Sequence, residues 1–499
     1  MASQGKADPL QALNYDCINL VLQDLSPQDV AKAEQVSNSW KIHIRDWEAG
    51  PGCVHHFPDA WKELKVTNDL NAVEVFKECA SQKTATDRWL AAKPRWVMEC
   101  HPALIEKSER AAGDFISWTS LSDGHIYCQR VGYEKDTAGK WRQFPKVRVD
   151  LKVSRAAGTE IKCTRLHASG LLYVATSERG SPPDRVCTYR DHVFELETGK
   201  LLWSRGQATP PSRPLALGWE RLYRHGPKPN SLEAYDLRTG DLLYTVSIPP
   251  EVYKSEQEAR VWRLRGREVI VVPIRGHVVH RGFEYNLYLV DAETGLRVQV
   301  IKIVYHDYRP PRLKVSSRRG ELAFAVMDQV VDEHTRAQTE RIRFFEYDAA
   351  KGQFVDGKEE QMEIRGGAGA MSGQCGDYDP FRRFYTIPSF PEGHHSIFPF
   401  PGADADADGQ DSPGTDHITA NPVSFSVTGD VGGRDGVPVK PQRGLWGLAK
   451  VRIAGNRLWL FLDRGWVEEH GRKFIIVEFG PSALPLPSED TLYRPDELD

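Results

Sequence analysis

A few residue groups in this 499-residue chain have types and spacings that could do chemistry. Asp404-Ala405-Asp406-Ala407-Asp408-Gly409 sets carboxylates at alternate positions with glycine at the sixth, as a calcium loop begins. The twelfth position is Thr415 where such a loop needs a bidentate carboxylate, and Ser412 stands at the ninth, so a solvated acidic loop is the better reading. His55-His56 and His394-His395 are pairs without the spacing of a zinc-binding helix. Gly366-Gly367-Ala368-Gly369 precedes a turn instead of joining a strand to a helix, which argues against a phosphate cradle. Neither a P-loop nor a nucleophile elbow occurs. Arg260, Arg263, Arg265 and Arg267 alternate with Val261, Trp262 and Leu264, and Arg309, Arg312, Arg318 and Arg319 surround Pro310-Pro311. Arginine forks suit acidic or phosphorylated peptides, although solvated strand faces explain both clusters more simply. No catalytic set, cofactor site or metal site is nominated.

Composition narrows the field further. With 40% hydrophobic and 27% charged residues the chain is a globular protein of more than one domain, and its net charge of -4 gives no support to general nucleic-acid or membrane binding. Eight scattered cysteines without C-x-x-C spacing read as free thiols of a reducing compartment. No apolar run follows Met1-Ala2-Ser3, and no stretch reaches membrane-spanning length. Cytoplasm or nucleus is the expected location.

If the chain makes no bonds itself, its function rests on the elements that present surfaces. In Leu13-Asn14-Tyr15-Asp16-Cys17-Ile18, continuing to Leu25, the residues Ile18, Val21, Leu22 and Leu25 follow the helical i, i+3, i+4, i+7 pattern. Ser26-Pro27-Gln28-Asp29 reads as a second helix start, with Ser26 capping and Pro27 where its missing N–H costs nothing. Val30, Ala33 and Val36 continue an apolar face, and Trp40, Ile44 and Trp47 form another. Two or three short helices in about forty residues make a unit too small to bury a good core alone.

The order Leu13, Asp16, Ile18, Val21-Leu22, Leu25, Ser26-Pro27, Asp29-Val30, Val36-Ser37 and Trp40 resembles the F-box. Asn14 stands where that family usually has proline. The resemblance covers roughly residues 10–46 and implies docking onto a Skp-family adaptor, and through it a cullin scaffold. The implied contact residues are Leu13, Ile18, Val21, Leu22, Leu25, Pro27, Val30, Val36 and Trp40, with Trp40 also serving the unit's own core.

Residues 51–110 read as a helical linker, opened by a break at Gly50-Pro51-Gly52 and carrying Val73, Phe76 and Cys79 at threefold spacing. From about Asp114 short apolar runs broken by glycine and proline signal an all-β body over 111–480. One strand–turn–strand element recurs: Leu196-Glu197-Thr198-Gly199, Asp236-Leu237-Arg238-Thr239-Gly240 and Asp291-Ala292-Glu293-Thr294-Gly295, with degenerate copies at Gly139 and Gly352. Glycine supplies the positive φ of each turn. These glycines recur every forty to sixty residues, which favours four-stranded propeller blades, about seven, over a sandwich. The turn style resembles that of quinoprotein-like propellers. Residues 401–443 read as a mobile insert and 481–499 as a peripheral tail.

The expected architecture is therefore an α+β multidomain chain: F-box (10–50), helical linker, then an all-β propeller. The function it implies is that of a non-catalytic substrate receptor in an SCF-type ubiquitin ligase, with an unidentified protein target. An F-box scaffold without a ubiquitination role and a quinoprotein-like propeller enzyme are the alternatives.

Overall fold

The computed structural model describes residues 13–480 apart from internal stretches, of which 364–376, 400–422 and 427–446 are the longest. Helix α1 (Tyr15–Asp24) is capped by Asn14, whose side chain accepts a hydrogen bond from the Cys17 N–H at 2.8 Å. Asparagine thus does at this position what proline could not. Helix α2 (Pro27–Ala33) begins as its sequence dictates: Ser26 Oγ accepts from the Asp29 N–H at 3.2 Å and Pro27 takes the first helical position. Helix α3 (Asn38–Trp47) is capped by Ser37, which accepts from the Trp40 N–H.

Gly50-Pro51-Gly52, expected to break the chain, continues the helix instead. Glu48–Gly52 forms a π-helical turn that runs into α4 (Cys53–His56). Proline is tolerated there because the wider turn does not need its N–H. Gly52 is required by packing: a Cβ would stand 2.6 Å from the Trp47 ring. Helix α5 (Ala72–Leu90) closes the unit, and Ile18, Leu22, Val30, Ile44, Trp47 and Phe76 form its core.

The β-structure begins at Trp96, so the helical linker expected up to residue 110 gives way to strand well before that. Trp96–Cys100 pairs antiparallel with Lys473–Glu478 near the far end, Trp96 opposite Glu478. Its pattern escapes local reading because the partner that makes it a strand lies across the whole body. Among the described residues there are seven four-stranded antiparallel sheets. The first comprises Ile105–Ala112, Phe115–Ser120, His125–Arg130 and Lys146–Lys152; the second Thr159–His167, Leu171–Arg179, Cys187–Glu195 and Leu201–Gln207. The third comprises Ala216–Leu217, Arg221–His225, Ser231–Asp236 and Leu242–Ser247; the fourth Arg260–Leu264, Arg267–Val279, Gly282–Asp291 and Arg297–Tyr305. The fifth comprises Arg312–Val315, Ala323–Val331, Gln338–Asp348 and Gln353–Glu363; the sixth Asp377–Asp379, Phe384–Ser389, His394–Pro399 and Val423–Ser426. Gly447–Ala454, Arg457–Asp463 and Lys473–Glu478 build the seventh, and Trp96–Cys100 completes it as fourth strand.

The recurring glycine turns join third to fourth strands. Asp236 Oδ1 accepts from the N–H groups of Arg238 and Thr239, and Asp291 Oδ1 from those of Glu293 and Thr294, so the carboxylate orders the turn before the glycine reverses it. The Gly240 and Gly295 turns also wedge against the preceding sheet. A Cβ on Gly240 would meet the Trp203 ring at 2.7 Å, and one on Gly295 would meet the Ser247 carbonyl oxygen at 2.0 Å. Gly139 lies outside the described residues; its flanks form a separate hairpin, Tyr133–Lys135 with Trp141–Gln143.

Neighbouring sheets meet through their first strands and through buried polar ties. Thr159–His167 packs by Ile105–Ala112, Ala216–Leu217 by Arg260–Leu264, and Asp377–Asp379 by Gly447–Ala454. His167 Nε2 donates to the Gly218 carbonyl at 2.8 Å, and Glu268 accepts from the Trp219 N–H and the Tyr223 hydroxyl. The seventh sheet packs on the first, with Met98, Ile116, Trp118, Trp459 and Ile476 sharing one core. Residues 401–443, expected to be an insert, include the strand Val423–Ser426 paired with His394–Pro399. The Asp404–Gly409 segment, the rest of the acidic stretch and the 481–499 tail lie outside the described residues.

Candidate functional site

The nine residues expected to dock divide by burial. Ile18, Leu22 and Val30 are 7%, 1% and 0% exposed, and Pro27 is buried with them. Leu25 and Trp40 are half-buried against the same core. Only Leu13, Val21 and Val36, at 41%, 47% and 62% exposure, face outward. The physical reason is size: a unit this small spends its best apolar stripe on itself, and α1 turns Ile18, Leu22 and Leu25 inward against Trp47 and Phe76.

Four exposed hydrophobics escaped the sequence reading. They are Tyr15 and Leu20 at 62%, Ile42 at 64% and Val54 at 48%. On α1, Cys17, Leu20, Val21 and Asp24 follow three- and four-residue steps on the side away from Leu22. That second stripe was the available signal, and the stronger inner stripe masked it. The exposed apolar side chains of the unit include Leu13, Tyr15, Leu20 and Val21 on and before α1, Val36 in the turn after α2, and Ile42 on α3.

A charged cluster braces this unit from inside. Lys77 Nζ lies 2.7 Å and Arg45 Nε 3.3 Å from Glu34 Oε1. Glu48 beside them has no exposed surface. Burial, then the neighbouring Glu34 carboxylate, push its pKa up to about 8, with Lys77 and Arg45 opposing. Trp47 Nε1 donates to Asn19 Oδ1 at 2.6 Å and ties α3 to α1. His56 packs edge-on to Trp47 and Phe76, and burial lowers its pKa. It is a core residue, and among the described residues no cluster of three potential metal ligands occurs.

Of the two arginine groups only Arg260 and Arg267 have described side chains. Arg267 is exposed with Asp291 at 3.8 Å, Arg260 is half-buried, and the side chains of Arg263, Arg265, Arg309, Arg312, Arg318 and Arg319 lie outside the described residues. A different feature links the helical unit to the sheets. The Trp89 ring at the end of α5 stacks on Phe479 with centroids 3.8 Å apart, and Arg88 Nη1 donates to the Gly480 carbonyl at 3.1 Å.

No family model matches the chain, and no curated protein sequence matches it. Among solved structures, a crystal structure titled as the eukaryotic initiation factor is similar with a TM-score of 0.27 at 10% identity, over 60% of this chain and 87% of that one. Hsv2 of Kluyveromyces lactis is similar at 0.30 and 10% identity, over 57% of this chain and 78% of that one. A protein from Lactobacillus plantarum is similar at 0.29 and 12% identity, over 61% and 80%. Likeness at this level assigns no activity to the chain.

Proposed function

We propose that this chain is an F-box-type receptor: the N-terminal helices dock on a Skp-family adaptor, and the sheet body is a seven-bladed propeller that holds a protein target for ubiquitination. The observation that carries the reading is the set of exposed apolar side chains on the N-terminal helices and the turns between them. Leu20, Val36 and Ile42 are each more than 60% exposed on a unit that has already buried its other stripe. Such side chains are best explained by burial against another chain. Seven four-stranded sheets in chain order, the last completed by an early strand, support the propeller reading, because closure of this kind removes free sheet edges at the seam. The receptor would act by proximity, raising the local concentration of target beside a ubiquitin-charged enzyme.

Titration of a purified Skp-family adaptor tests this. Leu20→Ala with Ile42→Ala should weaken binding by a hundredfold or more, since central interface truncations cost about 2 kcal/mol each. Circular dichroism should be unchanged, because both positions are exposed. Absence of binding by the unmodified protein, or equal binding by both proteins, would sink the assignment.

A further inference from the structure

The described residues expose fourteen large hydrophobic side chains, and half of them belong to the N-terminal unit. The other half belong to the sheet body. Leu201 and Leu202 belong to the last strand of the second sheet, Leu242 and Leu243 to that of the third, and Leu296, Val298 and Val304 lie on or beside that of the fourth. Six of the seven recur at one place in the repeat, just after the turn glycine: Gly199-Lys200-Leu201-Leu202, Gly240-Asp241-Leu242-Leu243 and Gly295-Leu296-Arg297-Val298, while Val304 stands near the far end of its strand. The Gly240 turn rests on Trp203 of the second sheet, and the Gly295 turn on Ser247, at the far end of the third sheet's outer strand from Leu242 and Leu243. Exposed apolar side chains thus mark the outer strand of each of these three sheets.

Sheet edges are normally protected by lysine, proline or a twist. Leu201–Gln207 carries Arg205, and Arg297–Tyr305 carries Arg297 and Lys302. Leu242–Ser247 between them, reading Leu-Leu-Tyr-Thr-Val-Ser, has neither charge nor proline. Among the described residues its backbone bonds only to Ser231–Asp236, so its outer N–H and C=O groups stay open. The three outer strands hold three exposed cations and no carboxylate. Of the acidic groups beside this strand, Glu233 stands opposite Thr245 and accepts from the Tyr235 hydroxyl, Asp241 ends the turn, and Glu293 is held by Arg221 at 3.1 Å.

We propose that Leu242–Ser247 accepts, as a fifth strand, an extended segment of a partner protein that is apolar at alternate positions and bears carboxylates. The open backbone edge supplies the hydrogen bonds, Leu242 and Leu243 take the apolar side chains, and Arg205, Arg297 and Lys302 select for acidic residues. This surface is separate from the N-terminal one and does not depend on it.

Two labelled nine-residue peptides test the proposal on the full chain: one alternates valine and glutamate, the other valine and lysine. Fluorescence anisotropy should show the acidic peptide binding at least tenfold tighter, with the preference shrinking in high salt. Hydrogen exchange of the outward amides within Leu242–Ser247 should slow at least fivefold in its presence. Leu243→Lys should lower that affinity tenfold or more. The exchange measurement needs no variant, so misfolding of Leu243→Lys would leave the test intact. Equal binding of both peptides, or unchanged exchange at Leu242–Ser247, would overturn the proposal. So would concentration-dependent dimerisation of the chain alone that Leu243→Lys abolishes, because the edge would then belong to a second copy.

Discussion

Glu48 and His167 are titratable groups buried in opposite senses, and together they set how stability responds to pH. Glu48 has its pKa raised to about 8 by burial and by Glu34, so between its ordinary value of 4.5 and 8 the folded chain holds a proton that the unfolded chain releases. Stability from this group is full below pH 4.5 and falls as pH rises to 8. Burial lowers His167 to about 4, although the Gly218 carbonyl opposes the shift, so its contribution is full above pH 6.5 and is lost as pH falls to 4. Glu48→Gln removes the first slope: its melting temperature should exceed that of the unmodified protein at pH 9 and converge with it below pH 5. A thermal melt series across pH checks this, and a constant offset would contradict the assignment. Neither group stood out in the sequence, since a glutamate before Gly50-Pro51-Gly52 and a histidine near a turn acquire shifted pKa values only through burial by segments far along the chain, to which the Glu34 carboxylate adds for Glu48.

At the scale of elements, two turn glycines with the same backbone separate strain from packing. Gly295 and Gly352 have φ of +70° and +67°. A Cβ on Gly295 would stand 2.0 Å from the Ser247 carbonyl oxygen, while one on Gly352 meets nothing closer than the Tyr347 hydroxyl at 3.9 Å. Gly352→Ala should therefore cost only the left-handed strain, about 1–2 kcal/mol. Gly295→Ala should cost clearly more in urea unfolding, because the third and fourth sheets must also separate. These turns were legible from sequence because aspartate and glycine have local reasons to be there. Helix α2 was legible for the same reason, through Ser26 and Pro27, and α1 and α3 through the spacing of Ile18, Val21, Leu22 and Leu25 and of Trp40, Ile44 and Trp47. Which side of α1 faces out was not, since Leu20 and Leu22 have equal hydrophobicity and only packing against Trp47 and Phe76 distinguishes them. Accordingly Leu22→Ala should destabilise the helical unit by about 2–5 kcal/mol, whereas Leu20→Ala should leave its melting unchanged.

For the whole molecule the seam between the seventh and first sheets matters most. Arg457 Nε donates to Glu478 Oε2, Nη1 to the Gly113 carbonyl and Nη2 to Asp114 Oδ1, each at 2.6 Å. Glu478 is buried, so Arg457→Ala would strand a charge and should cost about 3–5 kcal/mol, with early exchange of the amides in Trp96–Cys100 as its signature. Sequence could not reveal this tie, whose partners stand at opposite ends of the body. The same arrangement sets a schedule for biosynthesis. Trp96–Cys100 leaves the ribosome long before Lys473–Glu478, the strand it pairs with. At about 5–20 residues per second, the roughly 380 intervening residues take on the order of 20–75 s to make. Throughout that interval the six earlier sheets can form while the first strand waits unpaired beside an already folded helical unit. A nascent chain stalled short of Lys473 would hold that strand open, within reach of a chaperone that recognises extended apolar segments.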